Sequence, residues 1–282
     1  MAERRLAVIT DEVSQDLWEA ADFARANGLS GLELRSINGR GPFEWIKADI
    51  EAVDRVRAAY GLEICCLALP FFKCGVSDGA AVESHLGGLR RALELAVRWQ
   101  APVVRGFAFW KGSGGWDEAL ERYGRVLPLL REAGVTLALE TEPAVMTTNA
   151  GLLRRFLDDL DAPEVMALWD PGNLPFDPEG ERPYPEGYGL LRGRIAHVHL
   201  KDAVGKGADA RAVCLGEGLV DFPGQLAALE RDGYRGYLSL ETHYRLGEAL
   251  TEEEMRLPGG YQFSKGGRAA SQECMDAMKK WR

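Results

Sequence analysis

The sequence is short of several things, and each shortage closes a class of explanation. It has no apolar run approaching the ~20 residues of a membrane span. The longest candidate, Ile64 to Phe72, is interrupted by Pro70. Its five cysteines (65, 66, 74, 214 and 274) form no C-x-x-C pair, so neither a disulfide framework nor a structural zinc site is expected. Positive charge is in deficit: 34 Lys and Arg against 43 Asp and Glu give a net charge of −9. That balance disfavours nucleic acid or an anionic membrane as the main partner. The N-terminal stretch MAERRLAVITDEVSQ turns acidic before any signal-peptide core could form, so a cytoplasmic protein is expected. No linker or low-complexity segment divides residues 1–282, which read as one domain. Histidine is scarce too: there are four, and three of them, His197, His199 and His243, fall at or just beyond the last two apolar runs of the chain.

What is present is alternation. Short apolar runs at Leu6–Thr10, Gly31–Leu34, Glu63–Ala68, Pro102–Phe107, Thr136–Glu140, Val165–Trp169, Ile195–Leu200 and Tyr237–Glu241 read as strands. Between them, Val82, Leu86, Leu89, Leu93 and Val97 mark one helical face, and Leu120, Tyr123, Leu127 and Leu130 another. Pro128 falls inside that second pattern, where it should kink or end a helix. Gly28, Gly61, Gly134 and Gly233 stand where helices stop before the next strand. Eight strand–helix alternations in this length predict an α/β protein with a (β/α)8 TIM barrel, the alternative being an open doubly wound sheet. The long connections Phe71–Ala81, Pro171–Glu186, Ala203–Val220 and His243–Gly267 all follow strands. Loops at that end of a barrel carry the active site.

Strand phase then selects residues, because alternate side chains point the same way. In VTLALE the inward set includes Glu140; in IAHVHLK it is His197, His199 and Lys201; in YLSLE it is Ser239 and Glu241. Asp170 closes VMALWD, in phase with Leu168. Four strands thus bring Glu140, Asp170, His199 and Glu241 to one rim. Three carboxylates and one imidazole there make a divalent-cation site. His197 and His199 are roughly 6.5–7 Å apart along a strand, so they occupy different layers. The upper, His199, is assigned to the metal and His197 to a supporting hydrogen bond.

The runs LALETEP, LWDPGN, HVHLKD, LGEG and LSLETH, with ITDEVSQD, GLELR and PFFKC earlier, resemble the xylose isomerase-like sugar phosphate isomerase/epimerase superfamily. The likeness runs from about residue 6 to the last helical stretch, and HVHLKD followed by LGEG is its most specific part. It implies a single-metal barrel whose ligands fall on Glu140, Asp170, His199 and Glu241, with Mn2+ the expected cation and Co2+, Mg2+ or Zn2+ as alternatives. It also implies that Glu140 and Glu241 move protons next to a metal-bound carbonyl of a small keto-sugar or polyol. Epimerisation, aldose–ketose isomerisation and dehydration or lyase chemistry all start from that step. Two positions depart from the ketose 3-epimerases. Asn173 stands where they carry histidine, and Gly205 where they carry arginine, with Lys206 and Arg211 nearby.

Candidate substrate contacts are Asn173, His197, Lys201, Arg105, Glu33, Arg211 and Trp110. Glu33 and Arg35 point inward from GLELR and are expected to pair across the site. Trp110, Phe72 and Trp116 are expected to wall a sugar face. Within the last long connection, Leu257–Phe263 is expected to cover the barrel mouth or to contact a second subunit in a homo-oligomer. Two other classes compete. An endonuclease IV-like DNA-repair barrel would need several more histidines and a basic surface. A non-catalytic binding barrel would not need an intact ligand set.

Overall fold

The computed structural model describes residues 4–247 and 261–281. Eight parallel strands close into a barrel: β1 (Arg5–Ile9), β2 (Gly31–Leu34), β3 (Glu63–Phe71), β4 (Val103–Gly106), β5 (Thr136–Glu140), β6 (Val165–Trp169), β7 (Ile195–Leu200) and, last, β10 (Tyr237–Leu240). Closure joins β10 to both β1 and β7, which excludes the open sheet. Between β7 and β10 the chain adds an antiparallel hairpin, β8 (Asp202–Val204) with β9 (Arg211–Val213), where the sequence suggested only a long connection.

The helices surround the strands: α1 (Leu17–Ala26), α2 (Lys47–Tyr60), α3 (Gly79–Trp99), α4 (Trp116–Gly124), α5 (Leu127–Ala133), α6 (Ala150–Leu160), α7 (Tyr188–Leu191), α8 (Phe222–Arg231) and α9 (Gly267–Met278). Their starts are chemically marked. Asp16, Asp78, Asn149 and Asp221 each accept a hydrogen bond from a backbone N–H of the first turn. Gly61 and Gly134 end α2 and α5 in the left-handed conformation that glycine adopts freely. Pro128 is resolved by a break: the single expected helix is two, and the proline sits in the first turn of α5, where its missing N–H is not needed. Val97 is a second correction. It is exposed, and the buried stripe of α3 turns instead to Ala96 and Trp99.

Two apolar layers result. The outer one lies between strands and helices and takes Leu137, Leu139, Val198, Leu200, Leu238 and Leu240, the outward set of the strand phases. The inner one fills the lower barrel with Ala7, Cys65, Cys66, Val103, Ala138, Leu168 and Tyr237. Cys65 and Cys66 are consecutive, yet both belong to it. The reason is a register shift, since Leu32 pairs with Ile64 but Glu33 with Cys66. A bulge of this kind re-aims side chains. Above this apolar plug the inward residues are polar.

HVHLKD and LGEG form one physical unit. Asp202, directly after β7, accepts hydrogen bonds from the backbone N–H groups of Ala203, Gly216, Gly218 and Val220 at 2.8–3.1 Å. A side chain at position 218 would start 2.0 Å from Asp202 Oδ1, so glycine is required there. Among the described residues, no helix is long and apolar enough to cross a membrane.

Candidate metal centre

Glu140 ends β5, Asp170 follows β6, His199 lies in β7 and Glu241 follows β10. All four are buried, and one ligand atom from each falls within 4.8 Å of the others. His199 Nδ1 faces Glu241 Oε2 at 3.2 Å, Glu140 Oε1 at 3.6 Å and Asp170 Oδ2 at 3.8 Å. It is buried and is aligned with none of them for a hydrogen bond. A buried lone-pair donor aimed into three carboxylates is what a divalent cation needs, and the oxygen-rich donor set suits Mn2+ or Mg2+. The residues present therefore fit such a cation.

Each acid is braced from outside. Arg105 Nη1 lies 3.1 Å from Glu140 Oε2, and Asn173 Nδ2 donates to Glu140 Oε1 at 3.1 Å. Lys201 Nζ bridges Asp170 Oδ2 at 2.6 Å and Glu241 Oε2 at 2.7 Å. Arg35 Nη1 holds Glu241 Oε1 at 2.9 Å, while the rest of its guanidinium binds Asp11 and Glu12 after β1. The titrations follow from these neighbours. Burial acts to raise the pKa of Glu140, but Arg105 and His199 together more than offset it and bring the group down to about 2. Burial raises Asp170 to about 6, with Lys201 only partly opposing. Against the same burial, Lys201, His243 and His199 hold Glu241 well below the usual carboxylate range. Burial acts to lower the pKa of His199, and the carboxylates of Glu33 and Glu241 outweigh it, so the imidazole stands well above its ordinary value.

Comparison with known families agrees with this architecture: the family described as xylose isomerase-like TIM barrel matches residues 21–258. The chain belongs to that family. Its fold is shared with D-allulose 3-epimerase from Methylomonas sp., solved in complex with D-allulose (TM-score 0.72, 16% identity, 99% of this chain and 98% of that one). A xylose isomerase-like TIM barrel protein from Mycobacterium smegmatis, solved in complex with magnesium, is also similar (0.65, 18% identity, 95% and 92%). A third is the probable 3-DHS dehydratase involved in petrobactin synthesis from Bacillus anthracis (0.68, 17% identity, 98% and 98%). No curated protein matches at the level of sequence.

Within this xylose isomerase-like barrel the remaining candidates divide. Lys201, Arg105 and Asn173 touch the carboxylate cluster directly. Glu33 and Arg35 do not pair with each other. Glu33 turns to His197 (Nε2 to Oε2, 2.8 Å) and His199 (Nε2 to Oε1, 3.1 Å), while Arg35 turns to Asp11, Glu12 and Glu241. The reason is charge: β1, beside β2, and β10 beyond it offer acids to Arg35, and the interior offers histidines to Glu33. Trp110 lies half-buried beyond β4 with the Lys73 ammonium 5.9 Å from its ring. Arg211 opens β9 with an exposed side chain that makes no ion pair among the described residues. Phe72 is fully buried, stacked between Phe71 and Phe109, so it packs the loop and presents no face to a sugar. Trp116 is not a wall either; it starts α4 and packs on Phe156 of α6, in the helix layer.

Several site residues escaped the strand-end reading. Asp11 and Glu12 lie in a single helical turn after β1, outside the alternation that selected the others, although their adjacency in ITDEV was a visible signal. His243 Nδ1 lies 2.9 Å from Glu12 Oε1, and Arg245 Nη2 lies 3.3 Å from Glu12 Oε2. Phe263 stacks on His243 at 4.1 Å and under the Arg35 guanidinium at 4.6 Å, so the end of the last connection returns to this side of the mouth. The rest of the expected cover, residues 257–260, lies outside the described residues.

Proposed function

We propose that this barrel is a divalent-metal-dependent sugar isomerase or epimerase. It acts by proton abstraction next to the carbonyl of a small keto-sugar or polyol, as a cytoplasmic single-domain enzyme. The observation that carries the reading is the four-strand convergence of Glu140, Asp170, His199 and Glu241 around an imidazole nitrogen without a hydrogen-bond partner. These four would hold the cation, Mn2+ in the first instance. When bound, it supplies Lewis-acid polarisation of a substrate carbonyl and a template for the neighbouring hydroxyl.

The chain's own groups do the rest. Glu140 and Glu241 approach from β5 and β10 on opposite sides of the mouth, so one takes a proton and the other delivers it. Arg105 and Asn173 keep Glu140 ionised and oriented, and Arg35 and Lys201 do the same for Glu241. Lys201, Asn173 and Arg105 also stand where substrate oxygens would lie, with Trp110 and Arg211 as outer contacts. A second reading, dehydration or lyase cleavage, is favoured by one observation. Asn173, an amide with no acid–base capacity at neutral pH, braces Glu140 at the position where ketose 3-epimerases carry histidine. The sugar-bound epimerase and the dehydratase among the structural relatives accommodate either outcome on this fold.

The test is metal analysis followed by a panel of ketoses, inososes and 3-oxo-sugars in D2O with Mn2+. About one equivalent of cation and deuterium incorporated beside a carbonyl are expected. Folded protein that takes up no divalent cation would refute the reading. A product that has lost water, with no epimer formed, would select the lyase. Mass measurement in solution decides whether the enzyme is a homo-oligomer.

A further inference from the structure

One fully buried carboxylate, Glu33, meets two histidines with separate oxygens: Oε2 lies 2.8 Å from His197 Nε2 and Oε1 lies 3.1 Å from His199 Nε2. The two imidazole rings are 5.5 Å apart and nearly perpendicular, at 85°. Glu33 reaches them from β2, on the far side of β1 and β10 from β7. It can do so because the neighbouring inward positions are small, Ala7 and Cys66 among them, and because the shift between β2 and β3 occurs at Glu33 itself. A small-residue floor and a bulge thus clear a path across the barrel for one side chain.

An ionised carboxylate has acceptors only. Each Nε2 must therefore carry the proton, and a neutral imidazole with its proton on Nε2 has its lone pair on Nδ1. For His199 that is the atom facing Glu140, Asp170 and Glu241. We infer that Glu33 is a positioning residue of the metal centre: by accepting from both histidines it fixes the tautomer and ring angle of His199, with His197 locking the other end of the carboxylate. This inference rests on the proposed metal site and goes beyond it, because Glu33 is not one of the four residues that would hold the cation. Carboxylate partners of metal-bound histidines typically change metal affinity ten- to a hundredfold when removed.

The experiment compares wild type with Glu33→Leu, matched in volume but without acceptors, Glu33→Gln, which keeps one acceptor, and Glu33→Asp, which keeps both on a shorter stem. Mg2+ and Mn2+ binding is followed by titration calorimetry, and folding by circular dichroism. Affinity should fall about 10–100-fold in Glu33→Leu, by an intermediate factor in Glu33→Gln, and least in Glu33→Asp. Nitrogen-15 spectra of the Mg2+-loaded wild type should show His199 protonated on Nε2 alone. That signature does not move for a residue that merely fills space, and it needs no variant to fold. Wild-type affinity in folded Glu33→Leu would overturn the inference while leaving the metal site standing; a proton on Nδ1 of His199 in the loaded wild type would overturn the inference and also take His199 out of the proposed ligand set. A wild-type protein that takes up no divalent cation would remove both.

Discussion

The two sides of the barrel mouth hold similar acids by different means. On the β5–β6 side, Glu140 has one guanidinium and one amide, and Arg105 also donates to the carbonyl oxygens of Ala68 and Leu69. On the β10–β1 side, Glu241 is gripped by Arg35 and Lys201, and Arg35 is shared with Asp11 and Glu12. The first side is a local brace, whereas the second is a network spanning four strand ends. The difference teaches that acids equivalent in position need not be equivalent structurally: removing charge from Glu241 disturbs a web, and removing it from Glu140 disturbs a pair.

The largest test of that contrast is the pair Glu140→Gln and Glu241→Gln. Each should lower turnover by at least ~10²-fold, the low end of what a positioned base contributes. The stabilities should then separate. Glu241→Gln leaves two buried cations short of a partner and should cost about 3 kcal/mol, within the range for breaking buried ion pairs. Glu140→Gln should cost clearly less, since Arg105 keeps its carbonyl acceptors. Urea unfolding of both variants without metal measures this; equal losses would erase the distinction. In an epimerase with opposed bases, one of the two variants should still exchange the substrate proton with D2O without inverting the centre.

A pH experiment separates the sides again. Burial raises Asp170, on one side, and Asp11, on the other, to about 6. In the unfolded chain both ionise near 3.8, so between that value and about 6 the folded state binds more protons. The contribution of each to stability is therefore full below 3.8 and lost as pH rises through 6, by an amount on the order of 3 kcal/mol. Added Mn2+ should abolish the part due to Asp170, which it would hold as a carboxylate, and leave the part due to Asp11. Asp11→Asn should remove that second part. A metal-free stability that is flat from pH 4 to 7 in wild type would contradict the assignment.

Smaller effects sharpen the local brace. Asn173→Ala removes one hydrogen bond to Glu140 and should lower kcat/KM by about tenfold with the fold intact, the scale of a hydrogen bond to a charged group. Smallest of all, Trp116→Phe loses the bond from its indole N–H to Asp159 and the Arg155 contact in the helix layer. It should cost about 0.5–1 kcal/mol of stability and leave the kinetics unchanged. A raised KM would place Trp116 at the mouth after all.

The sequence by itself determined the alternation and its phase. Period-two burial separated Leu137 and Leu139 from Glu140, and Val198 and Leu200 from His199, and glycines marked where helices end. Those signals are local, set by backbone geometry and by which side chains water excludes. The convergence of four strand ends was legible for the same reason, because in a closed parallel barrel every strand delivers its last inward residue to one rim. Only the tertiary structure decided the partners. Glu33 and Arg35 share one strand face in sequence, but each is claimed by charges from distant strands, Glu33 by the β7 histidines and Arg35 by Asp11, Glu12 and Glu241. Phe72 and Trp116 follow strand ends just as Trp110 does, but they turned into loop and helix packing, because the space beside each depends on residues far along the chain. A buried charge must find its opposite, and a large ring must find a cavity. Neither requirement is written in spacing, and both are met only when the barrel closes.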